Sequence, residues 1–231
     1  MDMRHRFIAF VFPVLAVGQL TAQATAMSFS ADQGAAVISA ISTPLATIMV
    51  STDETKAAQA MVAKMGDEAI ATIANASLDE AAKKQVFKRI LTQNFDMGTI
   101  GRFAMGRFWR VATPAQQQAY NGLYEKMIID VYTARFNKYS GQSFDVTESR
   151  LDPSGDIVVR SKIISKNSAP VSVDWRVRSK GGSYRVIDVM VEGVSMAVTQ
   201  RNDFAGIIQQ GGGTVDALLD YLKKGGTSDA K

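Results

Sequence analysis

Val171-Ser-Val-Asp-Trp-Arg-Val-Arg178 decides how the second half of this 231-residue chain folds. Val171, Val173, Trp175 and Val177 fall on alternate positions, with Ser172, Asp174, Arg176 and Arg178 between them. Side chains along a strand point to opposite faces in turn, so this segment reads as a strand with one covered and one wet face. Outward from it, Phe144-Asp-Val146, Ile157 to Ile163 and Tyr184 to Val191 read as three further strands. Turn signals separate them at Pro153-Ser-Gly155, Lys166-Asn167-Ser168 and Lys180-Gly181-Gly182. Connections this short make hairpins, so a curved antiparallel sheet of about four strands is expected over residues 142–194.

The preceding stretch, 28–138, carries a different period. Ser30-Ala-Asp-Gln33, Ser51-Thr-Asp-Glu54 and Ser77-Leu-Asp-Glu80 match the capping box, in which a hydroxyl and a side chain three residues on satisfy free N–H groups. Val86, Phe87, Ile90, Leu91 and Phe95 then form a one-sided helical stripe, and Asp96 is placed to cap the next helix. Thr113-Pro114, completed by Gln116, starts what reads as the longest helix, of about 25 residues. Helical pattern returns over 195–224, and the polar tail 225–231 is expected to be disordered. Helices, sheet and helices again make an α+β fold with the helices on one sheet face.

Residues 1–26 read as a cleavable signal peptide. Arg4 and Arg6 precede an apolar run from Phe7 to Val17, and Ala22-Gln-Ala24 and Ala24-Thr-Ala26 both fit a signal peptidase site. The run is shorter than the ~20 residues of a spanning helix. Residues 27–224 then form the mature domain, with 24 basic and 21 acidic residues beyond position 26 and no basic run of the kind nucleic acid requires. The chain has no Cys, and its one His, His5, leaves with the signal. A mature chain without either has no Ser-His-Asp triad, no thiolate nucleophile and none of the common zinc ligands. No catalytic residue, metal or cofactor is assigned.

Several stretches together resemble the MlaC family, also called the toluene-tolerance auxiliary family. They are Gln93-Asn-Phe-Asp-Met97, Arg102-Phe-Ala-Met-Gly-Arg-Phe-Trp-Arg110, Ala112-Thr-Pro-Ala-Gln116, Tyr139-Ser-Gly141, Val173-Asp-Trp-Arg-Val177, Ile187-Asp-Val189, and Val191-Glu-Gly-Val-Ser-Met-Ala-Val-Thr-Gln-Arg-Asn-Asp-Phe204. The similarity runs from about residue 60 to 223, and residues 28–58 match nothing in it. The resemblance implies an NTF2-like sheet against a helical lobe, with an apolar pocket between them for the acyl chains of a phospholipid. It implies a monomeric periplasmic carrier, working between an outer-membrane lipoprotein complex and the MCE-subunit ring of an inner-membrane ABC transporter, that maintains outer-membrane lipid asymmetry. Three alternatives stay open: a carrier of hopanoid or another lipid, an adaptor without cargo, and an NTF2-like enzyme pairing a Tyr with Asp174, Asp188 or Glu192.

Under the carrier reading the lining divides by element. Phe103, Phe108, Tyr124, Ile128 and Tyr132 would come from the helices and Met196 from the start of the C-terminal helical region. Val146, Val159, Ile163, Val171, Val173, Trp175 and Val177 would come from the first three strands, with Ile187, Val189 and Val191 from the fourth. The same stripes serve equally as ordinary core. Arg102, Arg107 and Arg110 have two readings as well. They contact an anionic headgroup or an acidic partner, because the guanidinium fork fits paired oxygens, or they are a solvated helix face with local pairing.

Overall fold

The computed structural model describes residues 52–166 and 168–226. The expectations for the signal peptide, for the Ser30 and Ser51 caps and for the end of the tail lie outside the described residues. Helix α1 spans Thr52–Ala74, α2 Glu80–Asn94, α3 Met97–Met105 and α4 Pro114–Thr133, with a 3-10 turn at Gly106–Arg110. Strands follow at β1 Ser143–Leu151, β2 Ile157–Ser165, β3 Ser168–Lys180, β4 Ser183–Val191 and a two-residue β5 Val194–Ser195. Helices α5, Met196–Gln210, and α6, Val215–Lys223, close the fold. The α+β architecture is as expected, with five antiparallel strands in sequential order.

Local chemistry explains the helix boundaries. Asp96 caps α3 through the Thr99 N–H, and Thr113 with Gln116 forms the full capping box of α4 with Pro at its start. The α2 cap is Asp79, not Ser77: Asp79 accepts from the Ala82 N–H, and Ser77 turns back to the Asn75 side chain. Helix α4 ends at Thr133, so at 20 residues it is shorter than the 23-residue α1. The apolar stripe continues past it through a 3-10 turn that sets Phe136 edge-on to Phe87, 5.6 Å between ring centres.

Register brings the inner face of the sheet into four cross-strand rows. They are Phe144–Ile163–Val171, Val146–Ser161–Val173–Val191, Ser149–Val159–Trp175–Val189 and Leu151–Ile157–Val177–Val186. A bulge in β4 opposite Arg176 and Val177 breaks the simple alternation. The position opposite Val177 is therefore taken by the fully buried Val186, and Ile187 is the extra residue. Helix α1 lies along this face. Its Glu54 accepts from Ser179, Gln59 accepts from Ser149, and Gly66 sits so close to Phe144 that a Cβ would come within 2.2 Å of the ring. One core forms there, from Ala58, Val62 and Met65 of α1 against Ile157, Val159, Val177 and Val186.

A second core fills the helical lobe. Tyr120 and Tyr124 stack at 5.5 Å and Phe204 meets both edge-on, with Met105, Met127, Ile208 and Leu218 around them. Strand β4 joins the lobes. The Asp96 N–H donates to the Val186 carbonyl, and the Asp188 carboxylate accepts from the Ser195 hydroxyl and the Ala197 N–H at the start of α5.

Candidate functional site

The inner sheet face divides between two environments. Val159 and Val177 are sealed in the core under α1. Val173 and Val191 are only 4% exposed, yet they belong to neither core, and the half-buried Ile163, Val171 and Met196 belong to neither. Val146, Trp175 and Val189 are half-buried at the border of the α1 core. The Trp175 indole is fixed: its N–H donates to the Ser161 hydroxyl, which donates to the Val173 carbonyl, while Phe95 and Phe144 pack against the ring. Ser161 is fully buried among aliphatic neighbours, a polar group the strand pattern does not single out.

Three of the expected lining residues come from α4. Tyr124 is buried in the helical core, Ile128 packs against it half-buried, and Tyr132 stacks with Phe87 at 6.1 Å. Burial pushes both phenols up, and the neighbouring Tyr132 and Asp188 push Tyr124 further. The acids that an enzyme would use have structural partners: Asp174 binds Arg160, Asp188 caps α5, and Glu192 accepts from the Ser172 N–H.

The remaining expected residues gather elsewhere. Phe108 packs on the helical core, but Phe103 is 41% exposed and lines an open groove of about 580 Å³ with Thr99, Arg102, Gly106, Arg107, Trp109, Arg110 and Arg201. All three sequence-identified arginines meet there. Arg201 of α5 joins them, and no spacing in the chain indicates this, because α3 and α5 meet only in the fold. Gly106 is what admits it. It caps α3 at φ +59°, a conformation suited to glycine, and a Cβ there would come within 3.0 Å of Arg201 Nε. Among the described residues no ion pair reaches any of the four guanidiniums.

Comparison with known proteins adds to this geometry. The "Toluene tolerance protein ttg2D" of Pseudomonas putida is 26% identical over 133 residues, 57% of this chain and 62% of that protein. The "Intermembrane phospholipid transport system binding protein MlaC" of Haemophilus influenzae is 25% identical over 128 residues, 54% of this chain and 59% of that one. The chain thus matches about three fifths of the length of these relatives. The solved phospholipid-binding protein from Ralstonia solanacearum, in complex with a phospholipid, superposes with a TM-score of 0.64 at 29% identity, covering 73% of this chain and 96% of that one. A model of the MlaC protein family matches residues 63–224, most of the chain, and by that match the chain belongs to the MlaC family.

Proposed function

We propose that this chain is a soluble periplasmic carrier that binds phospholipid by its acyl chains. The observation that carries the reading is the outer part of the sheet face, where Val173 and Val191 are buried but belong to neither of the two core clusters. A face of that kind fits a wall that closes on a ligand, and the phospholipid in the Ralstonia relative supports that choice of ligand. Lining residues are then Ile163, Val171, Val173 and Val191, bordered by Val146, Trp175 and Val189, with Ile128, Tyr132 and Met196 facing them; Ile187 and Tyr124 stand at the joint. Val159 and Val177 act one step away, by fixing α1 against the sheet.

The energetics agree with a carrier. Two tails of about 30 methylenes, at about 0.8 kcal/mol each, represent roughly 24 kcal/mol of transfer from water. Free diffusion of the lipid is negligible on that scale, so a shuttle has to enclose the tails. In the finer reading the chain, processed after Ala24 or Ala26, moves phospholipid between an outer-membrane lipoprotein complex and the MCE ring of an inner-membrane ABC transporter. The family assignment supports this route. Native mass spectrometry of protein purified from the periplasm without detergent tests the central part. It should find close to one glycerophospholipid per chain. Repeated ligand-free preparations with no uptake from vesicles point instead to an adaptor without cargo.

A further inference from the structure

We propose that the arginine groove of the helical lobe is a docking site for an acidic segment of a protein partner, separate from the lipid-binding face. Arg102, Arg107, Arg110 and Arg201 line it together, and no described carboxylate pairs with them. Elsewhere several arginines are paired with carboxylates: Arg160 binds Glu148 and Asp174, Arg178 binds Asp156, and Arg89 binds Glu68. Four like charges gathered without a counter-charge oppose folding, so an external anion is the partner this arrangement fits.

The groove is not purely ionic. Phe103 and Trp109 line it, the Arg201 guanidinium lies 5.4 Å from the Phe103 ring centre, and Arg107 lies 4.9 Å from that of Phe108. These stacked guanidiniums are held in place, with their edges left for carboxylate oxygens. Exposed valines lie close in the chain, Val111 directly after the 3-10 turn and Val198 three residues before Arg201 on α5. Arginine and aromatic side chains around a concavity are the composition of a protein-binding hot spot.

Position decides between a protein and the cargo's own headgroup. Every lining residue belongs to α3, the 3-10 turn or α5, and none to the sheet. Behind the groove stand the buried Gly101, Ala104 and Met105, which belong to the side of α3 turned into the helical core. The groove shares no residue with the proposed lipid wall, whose one contribution from α5 is Met196. Concavity decides against a membrane, since a flat anionic surface meets charges on a projecting face.

The test uses the purified full-length mature chain with its lipid. The probe is a fluorescent peptide of four glutamates around one phenylalanine, compared with its all-glutamine counterpart and with phosphatidylglycerol vesicles. The acidic peptide should bind more tightly than the glutamine one and weaken steeply with salt. Arg102→Glu/Arg110→Glu should lower its affinity at least about tenfold, with lipid content and melting unchanged. If that pair fails to fold, Arg110→Gln on the exposed turn should give a smaller loss in the same direction. Unchanged peptide affinity in the folded variant overturns the proposal. Loss of lipid along with the charges overturns it in favour of a headgroup site, and tighter binding to vesicles than to peptide overturns it in favour of a membrane surface. Lipid content and peptide affinity are read separately, so failure here leaves the carrier reading standing.

Discussion

At one end of the inner sheet face Ile157, Val177 and Val186 are sealed under α1, while at the other Ile163, Val171, Val173 and Val191 join no core. Both ends are built from valine and isoleucine on alternate strand positions, so residue type does not set them apart. The difference comes from what lies over them. Helix α1 crosses from Ser179 to Phe144, so it seals Ile157, Val177 and Val186 and reaches β1 at the far end, while Val173 and Val191 on β3 and β4 are not among the residues of its core. The residues of the other end are in neither that core nor the core of the helical lobe. One strand, β3, therefore holds the fold together with Val177, and it is Val173 on the same strand that we propose as part of the lipid wall.

That contrast is open to experiment, and the largest effect belongs to the sealed end. Val177→Asp puts a carboxylate with no partner into the α1 core. It costs several kcal/mol against a total stability of about 5–15, and the protein should fail to accumulate. Gly66→Val comes next, because the new side chain collides with the Phe144 ring. Overpacking of this kind costs about 1–3 kcal/mol, visible as a lower denaturant midpoint. Ser161→Ala leaves the Trp175 indole N–H without its acceptor at the border of the two ends. A loss of about 1–3 kcal/mol, together with a changed Trp175 fluorescence environment, is the expected result.

The smallest effect lies outside the face. Hydrogen bonds from Lys126 and Lys84 hold the Asp130 carboxyl below its ordinary value of 3.8. A depressed folded-state value means that stability is fully present above the unfolded value and is lost as pH falls through the folded one. Stability of the wild type should therefore decline below about pH 4 more steeply than that of Asp130→Asn. The pair is partly exposed, so the difference stays under about 1 kcal/mol and shrinks with salt.

Much of this was legible in the chain because it is local. Strand parity on β3 and the caps at Asp96 and Thr113 each rest on residues within a few positions of one another. What escaped the sequence depends on distant parts. The β4 bulge moves Val186 inward and Ile187 out of line, which no alternation pattern reveals. The assignment of Val159 and Val177 to the core under α1 rather than to a wall depends on where α1 crosses the sheet. Arg201 reaches Arg102, Arg107 and Arg110 only through the packing of α3 on α5, and Phe103 follows the arginines into the groove instead of the apolar interior.

The central claim concerns Val173, and the lipid content of purified Val173→Asp tests it most directly. In a wall that opens to water when lipid leaves, the carboxylate is hydrated in the empty protein and penalised mainly in the loaded one. Val173→Asp should then fold, melt cooperatively and carry little of the wild-type phospholipid, and Val146→Asp, two strands away in the same cross-strand row, should follow it. If both variants unfold, or both fold and keep wild-type lipid, this end of the sheet is not the wall against which phospholipid binds.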